Sequence, residues 1–289
     1  MKNYIKILFI LLVLPFVAFA QEDETKKEEV KEKLERAAFE STTLIDNATN
    51  VVFGKNTLEI QMAHRFGLIN NPKTENDLAG FWAPANIRIG VAYGVHDRVT
   101  LGFGTTKDGR LQDFNYKVAL LRQTRSEKMP VSVTYYGNFT MDARTKDNFT
   151  YLQDRWSNFN QLIIAKRFSP KLSLQIAPSV SHYNIVENTM RNDMVAIAFG
   201  GRYKISPQTS IIVDYSQPLT EFYSNNPPPG VSFGVEFGTS AHTFQLFATN
   251  YSGIVPQQNY MFNKNTGISE GKQGGEFLIG FNITRNYNF

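Results

Sequence analysis

The stretch that decides the fold closes the chain: Glu276-Phe277-Leu278-Ile279-Gly280-Phe281-Asn282-Ile283-Thr284-Arg285-Asn286-Tyr287-Asn288-Phe289. Its odd positions are apolar or aromatic in six of seven cases, Arg285 being the exception, and its even positions hold one large apolar residue, Leu278. Successive side chains of a strand point to opposite faces, so this period of two predicts one long strand with an oily and a polar face. Shorter dyads of the same kind run upstream: Leu58-Ile60-Met62, Ile87-Ile89-Val91-Tyr93, Val99-Leu101-Phe103, Phe114-Tyr116-Val118-Leu120 and Val131-Val133-Tyr135. Further on come Leu172-Leu174-Ile176, Val195-Ile197-Phe199, Ile211-Val213-Tyr215, Val231-Phe233-Val235-Phe237 and Phe244-Leu246-Ala248. With the less regular stretch from Phe159 to Phe168 they make twelve strands, separated by Gly, Pro, Asn and Asp clusters. Pro178 lacks the N–H of a ladder donor and predicts a bulge or an early end to pairing in the seventh strand.

Alternation cannot say which face is oily, because a soluble sandwich and a membrane barrel share the same period. Connection length decides. The linkers around 67–85, 142–157, 184–192, 218–229 and 250–274 are long, and all fall on one end of the strands. Those around 94–98, 122–129, 169–171, 205–209 and 240–242 are shorter and fall on the other; on the long side the one tight turn is Lys107-Asp108-Gly109-Arg110. Short turns inside, long loops outside, both termini inside and an even strand number are the arrangement of bacterial outer-membrane barrels. Tyr287 and Phe289 end the last strand where an aromatic girdle sits, and a terminal aromatic is also the form of an assembly signal read by the barrel assembly machinery. Closure is required, since each unpaired backbone group in hydrocarbon costs several kcal/mol. The expected fold is an all-β, transmembrane, antiparallel up-and-down barrel of about 12 strands with a short N-terminal helical segment.

The chain begins with an address. Lys2 and Lys6 precede a continuous apolar run from Ile7 to Phe19, and Ala18-Phe19-Ala20 supplies small residues for cleavage, so residues 1–20 read as a signal peptide. The apolar run is too short for a spanning helix. Residues 21–50 read as a periplasmic segment and 51–289 as the barrel. Within residues 22–40 the pairs Glu22/Lys26, Asp23/Lys27, Glu29/Lys33 and Glu32/Arg36 have i,i+4 helical spacing, with Val30, Leu34 and Ala38 as a thin apolar seam. A short solvated helix and a frayed tail fit equally.

Of the 289 residues only 19% are charged, whereas 23 are Phe and 13 Tyr, which excludes a disordered or coiled-coil chain. Removing Lys2 and Lys6 from the 30 basic residues leaves 28 against 26 acidic ones, scattered without a stripe, so nucleic acid is not an expected partner. The absence of Cys removes disulfides, thiolate metal sites, Cys nucleophiles and lipid attachment at a mature N-terminal Cys.

A resemblance adds to this. The stretches Arg36 to Asn47, Phe81-Trp82-Ala83-Pro84-Ala85-Asn86-Ile87-Arg88, Met129 to Gly137 and Gly200-Gly201-Arg202-Tyr203-Lys204-Ile205-Ser206-Pro207 are similar to a family of Bacteroidota β-barrel proteins catalogued as domain of unknown function 5777. The resemblance runs from about residue 36 to residue 289. It implies an outer-membrane barrel and carries no activity or catalytic residue.

With the oily face outward, the inner wall receives Arg65, Arg88, Lys117, Arg202 and Lys204 among bases and Glu59, Asp113, Asp214 and Glu236 among acids. Thr243, Gln245, Asn282 and Thr284 add neutral polar lining. One reading is a narrow water-filled path of mixed charge; the other is a set of cross-lumen pairs that stiffens the barrel, because buried ions need partners. The loop from Asn250 to Gly274 carries Tyr251, Tyr260, Met261 and Phe262, expected to fold inward as a plug; Pro227-Pro228-Pro229 stiffens the loop before it. Catalysis is not expected. His64, His96, His182 and His242 show no matched serine, since Ser181 and the adjacent His182 point to opposite faces of a strand. No zinc spacing occurs, Glu75-Asn76-Asp77 reads as a solvated acidic loop, and Gly102-Phe103-Gly104 reads as a packing or bulge feature. The functional expectation is a passive pore or small-ligand transporter in outer-membrane lipid, with no cofactor. The alternative is a closed structural or partner-binding barrel that acts through its loops.

Overall fold

The computed structural model describes residues 32–69, 77–267 and 276–289. The expected signal peptide, the Glu/Lys pairs before residue 32, and Glu75 and Asn76 lie outside the described residues. A small hairpin comes first, β1 (Thr43–Leu44) and β2 (Asn47–Ala48). Twelve strands follow: β3 (Thr57–Leu68), β4 (Asn86–His96), β5 (Val99–Thr106), β6 (Leu111–Leu121), β7 (Ser132–Asp142) and β8 (Trp156–Arg167), then β9 (Leu172–Tyr183), β10 (Asp193–Lys204), β11 (Thr209–Pro218), β12 (Gly230–Gly238), β13 (His242–Thr249) and β14 (Leu278–Asn288). Each pairs antiparallel with its sequence neighbours, and β14 closes the barrel on β3 through pairs such as Phe281 with His64 and Arg285 with Ile60. A two-turn helix, α1 (Pro256–Phe262), lies in the loop between β13 and β14.

All twelve predicted strands are present, and their faces are inverted relative to a soluble protein. Ile89, Phe114 and Phe233 are each more than half exposed, while Glu59, Arg65, Asp113 and Glu236 are at most 1% exposed. Only an apolar solvent around the wall makes such an exterior favourable. Among the described residues no helix is long and apolar enough to cross a membrane.

Three expectations are corrected. Pro178 causes neither a bulge nor an early end: pairing of β8 with β9 lapses between Gln161/Ser179 and Ile164/Ile176 and resumes in the same register, while the ladder to β10 is unbroken. The barrel wall begins at Thr57 rather than at residue 51. The described part of the N-terminal segment is not a helix outside the barrel. Leu34 bridges to Thr124 at the short-turn rim, the chain then enters the barrel, turns at Ile45-Asp46 between β1 and β2, and returns to the same rim. There Phe53 N–H donates to Thr100 Oγ1 (2.9 Å), Lys55 N–H to Asp97 (3.0 Å) and Asn56 N–H to the Gly94 carbonyl (2.9 Å). The Glu/Lys pairing that favours a helix stops at Arg36. Beyond it Phe39, Leu44 and Ile45 need burial, which a thin helical seam could not supply, and they pack on Ala165, Ile212 and Phe247 of the inner wall.

Candidate functional site

Residues 36–53 thus form a re-entrant plug, and most of the sequence-predicted inner-wall residues meet it. At its base Arg202 joins Glu236 of the wall (2.7 Å) to Glu40 of the plug (2.9 Å), with Lys204 Nζ at 3.9 Å from Glu40. Among the described residues Lys117 has no carboxylate within ion-pair distance, and none of the ion pairs includes it. Its ammonium donates to the plug carbonyls of Thr42 (2.6 Å), Thr49 (2.8 Å) and Val51 (3.5 Å). Glu59 accepts from the Thr42 hydroxyl and from Gln61, each at 2.6 Å. Gln245 accepts from the Ile45 N–H (3.2 Å) and donates to the Thr43 carbonyl (2.9 Å), while Asn282 donates to the Ile45 carbonyl (2.8 Å). Thr243 and Thr284 are buried on the same inner face.

The tip of the hairpin is held by two carboxylates facing opposite ways. Asp214 of the wall accepts from the N–H groups of Asp46 (3.1 Å) and Asn47 (3.0 Å) and from the Asn47 side-chain amide (2.9 Å). Asp46 of the plug accepts from Arg65 (2.9 Å), Ser232 (2.6 Å) and Thr249 (2.7 Å). Each oxygen of these two carboxyl groups has a donor, as buried polar groups require.

Arg88 and Asp113 make a two-armed pair across the wall, at 2.7 and 2.8 Å, without touching the plug. Gly104 explains the fit, because a Cβ there would stand 2.2 Å from the Arg88 guanidinium. Gly102-Phe103-Gly104 is therefore a packing feature of the inner wall. Between plug and wall a cavity of about 80 Å³ remains, lined in part by Gln61, Arg88, Asp113, Lys117 and Tyr136. Small-molecule sites usually measure roughly 300–1,000 Å³, so the lumen in this state is occupied by its own chain. A larger hollow, about 670 Å³, lies on the outer wall among Leu174, Phe199, Val213 and Phe233 and faces acyl chains.

The loop residues also point inward. Tyr251, Tyr260 and Met261 are at most 2% exposed, and Phe262 packs edge-on against Tyr183 at 4.8 Å. Tyr260 stacks on Phe159 (5.6 Å) and its hydroxyl donates to Asn47 Oδ1 (2.7 Å), so α1 from the long-loop rim touches the hairpin from the short-turn rim. Phe289 is 81% exposed at the short-turn rim, its N–H on the Asn56 carbonyl. At that rim the Lys55 N–H is the main cause that holds the Asp97 carboxyl below its ordinary range.

His64 stacks on Phe281 on the outer face, and His182 meets Asp193 at 2.7 Å while Ser181 is buried on the inner side. His96 and His242 sit at the short-turn rim. Sequence reasoning missed Asp46 and Asn47, and it missed the inward apolar residues Phe159, Ile163, Met194, Ile212 and Phe247. The one signal for the latter was the poor alternation between Phe159 and Phe168.

Among known proteins, the membrane-bound beta barrel domain family, domain of unknown function 5777, matches residues 39–287. No curated protein sequence matches the chain. Of solved structures, the NanC porin is similar with a TM-score of 0.51 at 7% identity, over 79% of this chain and 98% of that one. An outer membrane channel from Pseudomonas putida F1 gives 0.47 at 11% identity (82% and 97%), and the P. putida toluene transporter TodX gives 0.40 at 8% (83% and 91%). The likeness at such identities is one of fold.

Proposed function

We propose that this chain, which belongs to the membrane-bound beta barrel domain family, is an outer-membrane channel for small polar solutes, shut in the present state by its own N-terminal hairpin. The observation that carries this reading is the topology of the plug. It enters and leaves at one rim, between Leu34 and Phe53, so it can withdraw without unthreading. Withdrawal uncovers a wall of mixed charge, which suits weak ion selectivity. In this reading residues 1–20 direct export, the short-turn rim faces the periplasm, the barrel assembly machinery reads Phe289, and no catalytic step or cofactor is involved.

Planar-bilayer recording tests it. Wild-type protein is expected to open rarely, and Lys117→Met, which strips three plug carbonyls of their donor, to open far more often. Folded Lys117→Met protein that stays electrically silent would remove the channel reading. The second reading, a closed barrel that binds partners through its loops, is favoured by one observation: Trp82, Leu152 and Tyr223 are each at least 70% exposed at the long-loop rim.

A further inference from the structure

The hairpin tip occupies a patch of wall with the chemistry of a ligand site. Asp214, Ser232 and Thr249 are register neighbours across β11, β12 and β13, and Arg65 reaches the same level from β3. Arg65 is fixed before any ligand arrives. Its Nη1 donates to Asn282 and to the His64 carbonyl, both at 3.0 Å, and its guanidinium lies 4.5 Å from the centre of the Phe247 ring. Gly280 makes room for its stem, since a Cβ there would stand 2.9 Å from Arg65 Cδ. The patch therefore offers a cation and two hydroxyls beside a carboxylate. Its complement is a carboxylate next to N–H donors, which is what Asp46 and Asn47 present.

The hairpin does not use the site fully. Asp46 engages Arg65 through Nη2 alone, and among the described residues Arg65 Nε has no partner although the residue is 1% exposed. In the same lumen Arg88 shows the complete arrangement, with Nε and Nη2 both on Asp113. A free carboxylate can take that two-armed geometry on Arg65, which is stronger than the single arm the tethered Asp46 attains.

We propose that Arg65, Ser232, Thr249 and Asp214 form a binding site for small solutes that carry a carboxylate beside N–H donors, such as acidic amino acids and short peptides, and that Asp46-Asn47 stands in for such a solute. The proposal rests on the reading of the hairpin as a removable plug. Solute arriving at the site competes with the tip and favours the withdrawn state, so cargo releases its own gate.

Two measurements on the full chain test it. In the Asp46→Ala variant, acetate should raise the Tm in a saturable way, chloride at equal ionic strength should not, and adding Ser232→Ala should abolish the acetate response. In the otherwise cysteine-free chain carrying Ala38→Cys, a blocked dipeptide, N-acetyl-Asp-Asn-amide, should speed thiol labelling about tenfold by mass action, and N-acetyl-alaninamide should not. An acetate response equal to that of chloride overturns the site. Rescue by acetate with no effect of the dipeptide on labelling leaves a clasp and overturns the solute proposal. If Ala38→Cys is unreactive even when combined with Lys117→Met, the plug never leaves, and the gate reading falls together with the solute proposal.

Discussion

The hairpin tip and helix α1 fill one lumen from opposite rims, yet they are held in opposite ways. At the tip, both carboxylate oxygens of Asp46 and of Asp214 and both amide atoms of Asn47 have partners. In α1, Gln257 Nε2 reaches Asn138, Thr140 and Ser157, but among the described residues both amide atoms of Asn259 and the Gln257 Oε1 are buried without a partner. Each buried unpartnered group costs about 1–3 kcal/mol, and a two-turn helix has little stability of its own. The tip is a lock and α1 a looser stopper, so opening should begin from the long-loop side, with the Tyr260 to Asn47 hydrogen bond as the link between them.

The largest effect should come from Asp214→Ala, which orphans three N–H groups of the tip. Hydrogen exchange over residues 42–49 is expected to accelerate about 100-fold, since three hydrogen bonds of roughly 0.5–1.5 kcal/mol each are lost together. Unchanged protection there would mean that apolar packing of Phe39, Leu44 and Ile45 holds the plug instead. A matched pair of substitutions sharpens the contrast. Asn47→Leu should loosen the tip about tenfold in exchange, a difference of roughly 1.4 kcal/mol, whereas Asn259→Leu, which removes two unpartnered atoms, should leave α1 equally or better protected. Equal loosening in both would erase the distinction between lock and stopper.

The smallest effect concerns the rim. Because Asp97 is held below its ordinary pKa, its support of the plug exit is complete above the unfolded carboxylate value of about 3.9 and fades as pH falls through the lower folded value. Exchange at Lys55 and Asn56 should rise by a few-fold over that acid window and not at higher pH. Asp97→Asn should show no such acid step.

The wall was legible in the sequence because a strand in a barrel has one lipid and one lumen face, and period two records that directly, most plainly from Phe277 to Phe289. The plug was not legible. Ile45 bonds to Gln245 and Asp46 to Asp214, partners about 200 and 168 positions away, and no local pattern encodes them. The sequence left Arg65, Lys117 and Asp214 open between lining a water path and pairing across the lumen, because the main-chain carbonyls and N–H groups of the plug that help satisfy them leave no trace in residue types. The inward Ile212 and Phe247 break the polar inner face for the same reason, being matched to Leu44, Ile45 and Phe39.

The removable plug is tested most directly by tying it down. Asn47 Nδ2 and Ser216 Oγ are 2.8 Å apart in a chain with no native cysteine, so Asn47→Cys and Ser216→Cys can be joined by a short, cleavable thiol cross-linker. Single-channel openings that vanish on cross-linking and return on cleavage are the expected result. Identical currents in the cross-linked and cleaved states would contradict a gate formed by the hairpin.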